Sequence, residues 1–273
     1  MGDAYWIENQ IQLHIHFALV HQINETCVIK GKELPFELFL YAEQGEFTIF
    51  WKEKSPIICR PGDVVFVPSD MAFQLKTDGK CGLGCIGVDY RLFSCIRLFS
   101  FFELPTFIEK VRKLCQTIVQ TVRANDFTNS RLENAIVINT TLYRLALTVL
   151  KESSSHFQRD KMECMEKLSP VFSYICKNLE KTIWIEKLAG LIGTSEDALY
   201  RLFKDALGMS PKEYIIYERL RQARLMLLGS ALPIGKISRL CGYESPFSFS
   251  SLFHERYGCS PSLYRTQMTA LLS

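Results

Sequence analysis

One stretch of this chain is written twice. Gly193, Ser195, Leu199, Leu202, Phe203, Gly208, Ser210, Pro211 and Tyr214 recur as Gly242, Ser245, Phe249, Leu252, Phe253, Gly258, Ser260, Pro261 and Tyr264, offset by 49 residues up to the glycine and 50 beyond it. Each copy reads as apolar helix, glycine turn and second apolar helix, which is the order of a helix-turn-helix unit. Two such units at fixed separation can dock two helices on one DNA duplex. The competing reading is an unrelated helical bundle, and the matched glycine turns and Ser-Pro helix starts weigh against it.

Local chemistry supports each copy. Ser169-Pro170 reads as a helix start for 169–180. Leu188, Leu191 and Ile192 then form a short stripe ended by Gly193, and Thr194 and Ser195 offer a hydroxyl cap to a helix with Glu196 and Asp197 in its first turn. From Ser210-Pro211 a longer helix runs to Gly229 and spans about 27 Å, close to the ~34 Å between successive major-groove faces on one side of a duplex. Its Arg219, Arg221 and Arg224 stand evenly between phosphate contact and a solvated face. The second unit repeats the design around Gly242-Tyr243-Glu244.

Upstream, the pattern changes from helix to strand. Ile11, Leu13, Ile15, Phe17 and Leu19 alternate with Gln12, His14, His16 and Ala18. Further short β-branched and aromatic runs follow, broken at Gly31, Pro35, Gly45, Pro56, Pro61-Gly62, Pro68 and Asp78-Gly79, as in a β-barrel or sandwich able to hold one small ligand. After Leu104-Pro105 the period becomes helical. One stripe carries Ile108, Val111, Leu114, Cys115, Ile118, Val119 and Val122; a second carries Leu132, Ile136, Tyr143 and Leu147. The expected division is a barrel over 1–104, a helical packing or dimerisation region over 105–150, a polar linker over 151–161 and a helical domain over 162–273.

Composition narrows the function classes. The 273 residues are 48% hydrophobic and 22% charged, enough for a sizeable core. No apolar run reaches the ~18 residues of a membrane span, and the N-terminus lacks the features of a signal peptide, so the expected location is cytoplasmic, with no membrane partner. Ten cysteines are scattered without zinc spacing and read as reduced, mostly buried thiols. Residues 1–160 carry net −1 and residues 161–273 net +4, placing the basic excess with the repeat.

The strings LAGLIGTSEDALYRLFKDALGMSPKEYIIYERLRQARLML and ISRLCGYESPFSFSSLFHERYGCSPSLYR resemble the tandem helix-turn-helix domain of the AraC/XylS family of bacterial transcription regulators. The most specific part is Gly242-Tyr243, Ser245, Phe249-Ser250, Phe253, Gly258, Ser260-Pro261 and Tyr264-Arg265, within a resemblance covering about 170–266. More loosely, the Glu-Leu-Phe strand, Gly45, Arg60-Pro61-Gly62-Asp63-Val64 and Val67-Pro68 resemble the cupin-like sensor domains that often precede it. Length and organisation are similar to the subgroup controlling virulence or adhesion genes in enteric bacteria. The implied fold class is α+β and two-domain: an N-terminal cupin-like β-barrel with following α-helices, then an all-α domain with two helix-turn-helix motifs joined by a long helix.

The resemblance implies a non-enzymatic activator in the bacterial nucleoid, with double-stranded promoter DNA and RNA polymerase as partners and a homodimer through 105–150. Carried over by position, Asp197, Tyr200 and Arg201 face base edges in the first recognition helix and Lys204 lies near phosphate. Arg201 is the strongest candidate, because a guanidinium binds guanine bidentately. The second helix offers Pro246, Phe247, Ser248, Ser250, Ser251 and His254. Ser251 and His254 stand where the family usually has Arg and Lys, so this helix is expected to read sequence weakly, through backbone contacts and a thymine-methyl contact from Phe247.

His14-Ile15-His16 echoes the H-x-H of metal-binding cupins but lies too far upstream, and Phe73 replaces the later His, so a polar strand face is expected rather than a metal enzyme. The remaining barrel residues, Phe39, Tyr41, Phe47, Trp51, Phe66 and Phe73 with Lys30, Arg60 and Lys76, suit an apolar cavity with a basic mouth. No cofactor is expected. A small effector, fatty-acid-like or a small anion, would gate DNA binding by preferring one conformation; gating by a protein antagonist, or a cupin enzyme fused to a DNA-binding module, are the alternatives.

Overall fold

Alternation in the N-terminal half becomes two antiparallel sheets. The computed structural model describes residues 11–31, 33–51, 55–92, 96–97, 106–108, 111–123, 131–152 and 159–272. Its strands are β1 (Ile11–Ile23), β2 (Cys27–Gly31), β3 (Glu37–Gln44), β4 (Phe47–Phe50), β5 (Ile57–Cys59), β6 (Val64–Val67), β7 (Phe73–Thr77), β8 (Cys81–Leu92), β9 (Ile96–Arg97) and β10 (Thr106–Ile108). One sheet runs β1-β8-β3-β6-β10, with β9 on β8; the other runs β2-β7-β4-β5. Thr106–Ile108 pairs with β6, so the helical region expected from residue 105 begins with a strand.

Helices α1 (Arg112–Arg123) and α2 (Arg131–Glu152) cover one face of the larger sheet. Phe39, Tyr41, Val64, Phe66, Ile86, Val88 and Tyr90 meet Val111, Cys115, Ile118, Val119, Leu142, Leu145 and Val149 in one core. The Tyr90 hydroxyl donates to the Leu142 carbonyl at 3.0 Å, satisfying a phenol that burial would otherwise leave unpaired. On the opposite face Leu38, Leu40, Val65 and Val67 are buried as well, and so are Phe47, Ile49, Phe73 and Leu75 along one face of the smaller sheet.

Two faces depart from the sequence reading. In β1, Ile15 pairs with Val88 and Phe17 with Gly87, so His16 is an inserted residue. Leu13 and Ile15 face the helix-side core before this bulge, but Ala18 and Val20 do so after it, exchanging the faces that strict alternation assigned to Ala18, Phe17 and Leu19. In α2, Thr141, Leu142, Leu145, Ala146 and Val149 are buried, whereas the expected stripe residues Ile136, Tyr143 and Leu147 remain 56%, 44% and 52% exposed.

The described residues divide into two compact units, the second beginning at α3. It comprises α3 (Arg159–Lys177), α4 (Ile185–Leu191), α5 (Glu196–Leu207), α6 (Pro211–Gly229), α7 (Ile234–Leu240), α8 (Pro246–Tyr257) and α9 (Pro261–Leu272). Helix α3 includes 159–161, part of the expected linker, and carries Pro170 inside it rather than at its start. Met165, Leu168, Phe172, Ile175 and Leu179 are buried at helical spacing on both sides of the proline, and this packing outweighs the lost hydrogen bond. Of the expected linker, 153–158 lie outside the described residues.

Candidate nucleic-acid interface

The two repeats have the same local construction. Gly193 and Gly242 end the first helices with φ of 63° and 78°, a left-handed turn open to glycine without steric cost. Ser195 and Ser245 then cap α5 and α8, their hydroxyls accepting from the Ala198 and Ser248 amides at 3.3 Å in each case. Behind the recognition helices, Phe203 meets Tyr214 at 5.7 Å and Phe253 meets Tyr264 at 5.5 Å. All four rings are buried, which fixes each recognition helix against the next helix in its unit.

That packing decides what remains outside. In α5, burial of Leu199, Phe203 and Ala206 leaves Asp197, Arg201 and Lys204 exposed, with Tyr200 half-buried beside them. Asp197 and Arg201 are four residues apart and share a helix face. Lys204 lies 3.5 Å from Glu213 Oε2 and 3.4 Å from the Gly208 carbonyl, near the end of α5. Glu213 completes a capping box with Ser210, and those hydrogen bonds, aided by Lys204, hold its carboxyl below the usual range. In α8, Pro246, Phe247, Ser248, Ser251 and His254 are exposed and Ser250 is half-buried. Phe247 is 82% exposed, an apolar ring for which the fold provides no cover.

The arginines of the connecting helix fit neither expectation. Arg221 and Arg224 are 1% and 0% exposed and are therefore closed to phosphate. Arg221 Nε donates to Glu218 Oε2 at 3.0 Å, and the Arg224 guanidinium lies 4.5 Å from the Tyr257 ring centre. Arg219 donates to two carbonyls, Leu179 and Lys181, at 3.0 and 2.7 Å. Charge pattern alone hides this, because α6 is covered from both sides by the units that it joins and its long side chains become core.

Two surface features escaped the sequence reading. Trp184 precedes α4 and is 70% exposed, at the position matched by Pro233 before α7. An open groove of about 500 Å³ is lined by Glu180, Lys181, Lys236, Arg239 and Leu240. Its residues come from segments nearly 60 positions apart, which sequence spacing cannot bring together.

In the first unit, the nine residues expected around an effector fall into separate places. Phe39, Tyr41 and Phe66 belong to the core beneath α1 and α2, whereas Phe47 and Phe73 are buried on the smaller sheet. Trp51 is half-buried after β4. Lys76 pairs in register with Val28 and Thr48 on the outer face of the smaller sheet and contacts Asp78 at 2.7 Å. Arg60 is exposed and pairs with Glu46 at 3.2 Å. The Lys30 side chain lies outside the described residues. The expected aromatic lining is therefore divided between two sheets: successive strand residues such as Phe39 and Leu40 point to opposite faces, and period two alone does not say which face is the interior.

His14 is exposed, but His16 is stacked on Phe36 with ring centres 4.6 Å apart. Burial pushes its imidazole down to about 4, against a smaller upward pull from Asp89. Burial likewise pushes the Cys59, Cys85 and Cys241 thiols up to about 12, so these cysteines are inert at neutral pH. All cysteines among the described residues are free.

Residues 188–267 match the family model described as a helix-turn-helix domain. The chain is 31% identical over 163 residues to the lactose operon transcription activator of Staphylococcus xylosus, covering 60% of this chain and 55% of that protein. It is 22% identical over 236 residues to the Msm operon regulatory protein of Streptococcus mutans, covering 84% and 83%. The match spans about half the length of the first of these relatives and 47% of the LumQ regulator of Photobacterium leiognathi. Among solved structures, ToxT from Vibrio cholerae O395 aligns with a TM-score of 0.54 and 16% identity, covering 96% of this chain and 99% of that one. Unsaturated-fatty-acid-bound ToxT aligns with a TM-score of 0.56 and 13% identity, covering 96% of both chains. The AraC/XylS resemblance therefore stands, and the two-domain fold, a sheet domain followed by a helical helix-turn-helix domain, is that of ToxT.

Proposed function

We propose that this chain is a sequence-specific DNA-binding transcription regulator in which α5 reads bases and α8 mainly holds position. The observation that carries this reading is the paired, identically capped and inwardly locked recognition helices. They expose Asp197, Arg201 and Lys204 in one unit and Phe247, Ser248, Ser251 and His254 in the other. Arg201 provides bidentate hydrogen bonding to guanine, Lys204 charge near phosphate, and Phe247 apolar contact to a thymine methyl. The groove cations Lys181, Lys236 and Arg239 add sequence-independent attraction for a polyanion. The test is duplex binding by the full chain, enriched from a random-sequence library. The reading requires sequence enrichment and affinity that falls steeply with salt; binding insensitive to both would defeat it.

The regulatory reading is an activator of virulence or adhesion genes, acting with RNA polymerase on promoter DNA in the cytoplasm, with a small effector in the first unit. Phe47 and Phe73 supply buried apolar side chains, and a protein with this fold, ToxT, has been solved with an unsaturated fatty acid bound. A fatty-acid-like molecule or small anion is the class we assign. Mass spectrometry of gently purified full-length chain should show a stoichiometric small molecule; its absence, together with a stoichiometric co-purifying protein, would favour control by a protein antagonist. The relatives are named as regulators, and among the described residues no group of three or more His, Cys, Asp or Glu is placed to hold a metal.

A homodimer forms, in this reading, through α2. Ile136, Val137, Tyr143 and Leu147 are large, apolar and 41–56% exposed, and Ile136, Tyr143 and Leu147 recur at helical spacing.

A further inference from the structure

The connecting helix α6 must do more than span a distance. Two helix-turn-helix units joined only by a covalent helix could still pivot about its ends, and each would then find its own groove independently. Arg219 occupies the place where such a pivot would act. Its Nε donates to the Leu179 carbonyl at 3.0 Å and its Nη2 to the Lys181 carbonyl at 2.7 Å. These carbonyls lie in the turn just after α3. They lead directly into α4 of the first unit.

The same guanidinium lies 5.7 Å from the ring centre of Tyr243, in the turn of the second unit. The neighbouring Gly242 is so close that a Cβ there would fall 2.2 Å from the Leu179 carbonyl and 2.7 Å from Arg219 Nη2. Entry to the first unit and the turn of the second thus share one corner, filled by one side chain. Arg219 is half-buried. Its planar fork satisfies two carbonyls from one position, which a lysine ammonium on a flexible stem reproduces poorly. Deeper in the same helix, Arg221 donates to Glu218 and Arg224 lies over the Tyr257 ring of the second unit.

We infer that Arg219 is a positioning residue that locks the two helix-turn-helix units into a single reading frame on DNA, an inference that rests on the DNA-binding reading above. It touches no base. Its role is to make the spacing of the two half-sites matter, because with the corner fixed the second recognition helix meets its groove only when the first is seated.

The test uses the full chain and the duplex most enriched by the wild-type protein from a random-sequence library. Three duplexes are compared: the enriched one, a version with two base pairs inserted between its halves, and a version keeping only the half read by α5. Two base pairs turn the halves by about 70° relative to each other. The wild-type chain should lose at least tenfold affinity on insertion. Arg219→Ala should bind the enriched duplex about tenfold more weakly, bind the single half within twofold of wild type, and lose less than threefold on insertion. Should Arg219→Ala fail to fold by circular dichroism, Arg219→Lys carries the same comparison, with an insertion penalty between the two. An insertion penalty unchanged in the variant, or an equal loss on the single half, overturns the inference while leaving DNA binding intact. A wild-type chain that enriches no sequence overturns the DNA-binding reading itself, and the inference with it.

Discussion

At the scale of single residues, the recognition helices differ in what they can say to a base. Arg201 is exposed on a helix face shared with Asp197, whereas the corresponding stretch of α8 carries hydroxyls, an imidazole and a bare phenyl ring. Truncating Arg201 to alanine should cost about 1–3 kcal/mol at one base position, seen as lost preference in competition binding with single-base duplex variants. Ser251→Ala should leave the whole preference profile within about 0.5 kcal/mol of wild type. His16 makes a prediction of another kind. Its folded value of about 4 lies below the ordinary 6.5, so the unfolded chain takes up the proton first as pH falls. The stability it represents is complete above about pH 6.5 and is lost on acidification towards pH 4, amounting to about 2 kcal/mol by pH 5. Urea unfolding followed at pH 7.5 and pH 5 should show that loss, and His16→Phe, which keeps an aromatic ring against Phe36, should remove it.

At the scale of elements, legibility followed the chemistry of chain ends. Both Ser caps and the Gly turns were visible in the sequence because each depends on one residue type at one backbone conformation, and the structure has them as read. Faces were harder to read. The β1 bulge at His16 reverses the strand's two sides, and nothing in an alternating sequence marks where an inserted residue falls. Helix α2 is apolar on two sides, so period alone favoured Ile136, Tyr143 and Leu147 while the core took Leu142, Leu145 and Val149. Propensity places Pro170 at a helix boundary, and tertiary packing overrides it. The glycine turns themselves separate two costs. Gly208→Ala meets no neighbour within 4 Å and should cost only the left-handed strain, about 1–2 kcal/mol. Gly242→Ala adds a collision with the Leu179 backbone and should cost about 3 kcal/mol or more, measured as the difference in unfolding free energy between the two variants.

At the scale of the whole molecule, the proposed assembly places a second copy on the exposed face of α2. Replacing Leu147, 52% exposed, with glutamate should leave folding nearly unchanged, because the side chain already meets water. Sedimentation equilibrium should then shift from dimer to monomer; a wild-type chain that is monomeric at high micromolar concentration would refute the α2 interface. The barrel is the part of the function least legible from sequence. Choosing Phe39, Tyr41 and Phe66 as lining required knowing which side of β3 and β6 the helices cover, a long-range fact that local pattern does not contain. The helix-turn-helix half was legible because its signals are local and occur twice.

Selection from a random duplex library distinguishes an unequal pair of recognition helices from an equal one. Wild-type chain should enrich a two-part site in which one half is strongly specified and the other weak, with Arg201→Ala abolishing a guanine preference in the strong half alone. Two equally specified halves, or a strong half indifferent to Arg201, would show that the two helices do not divide the work in this way.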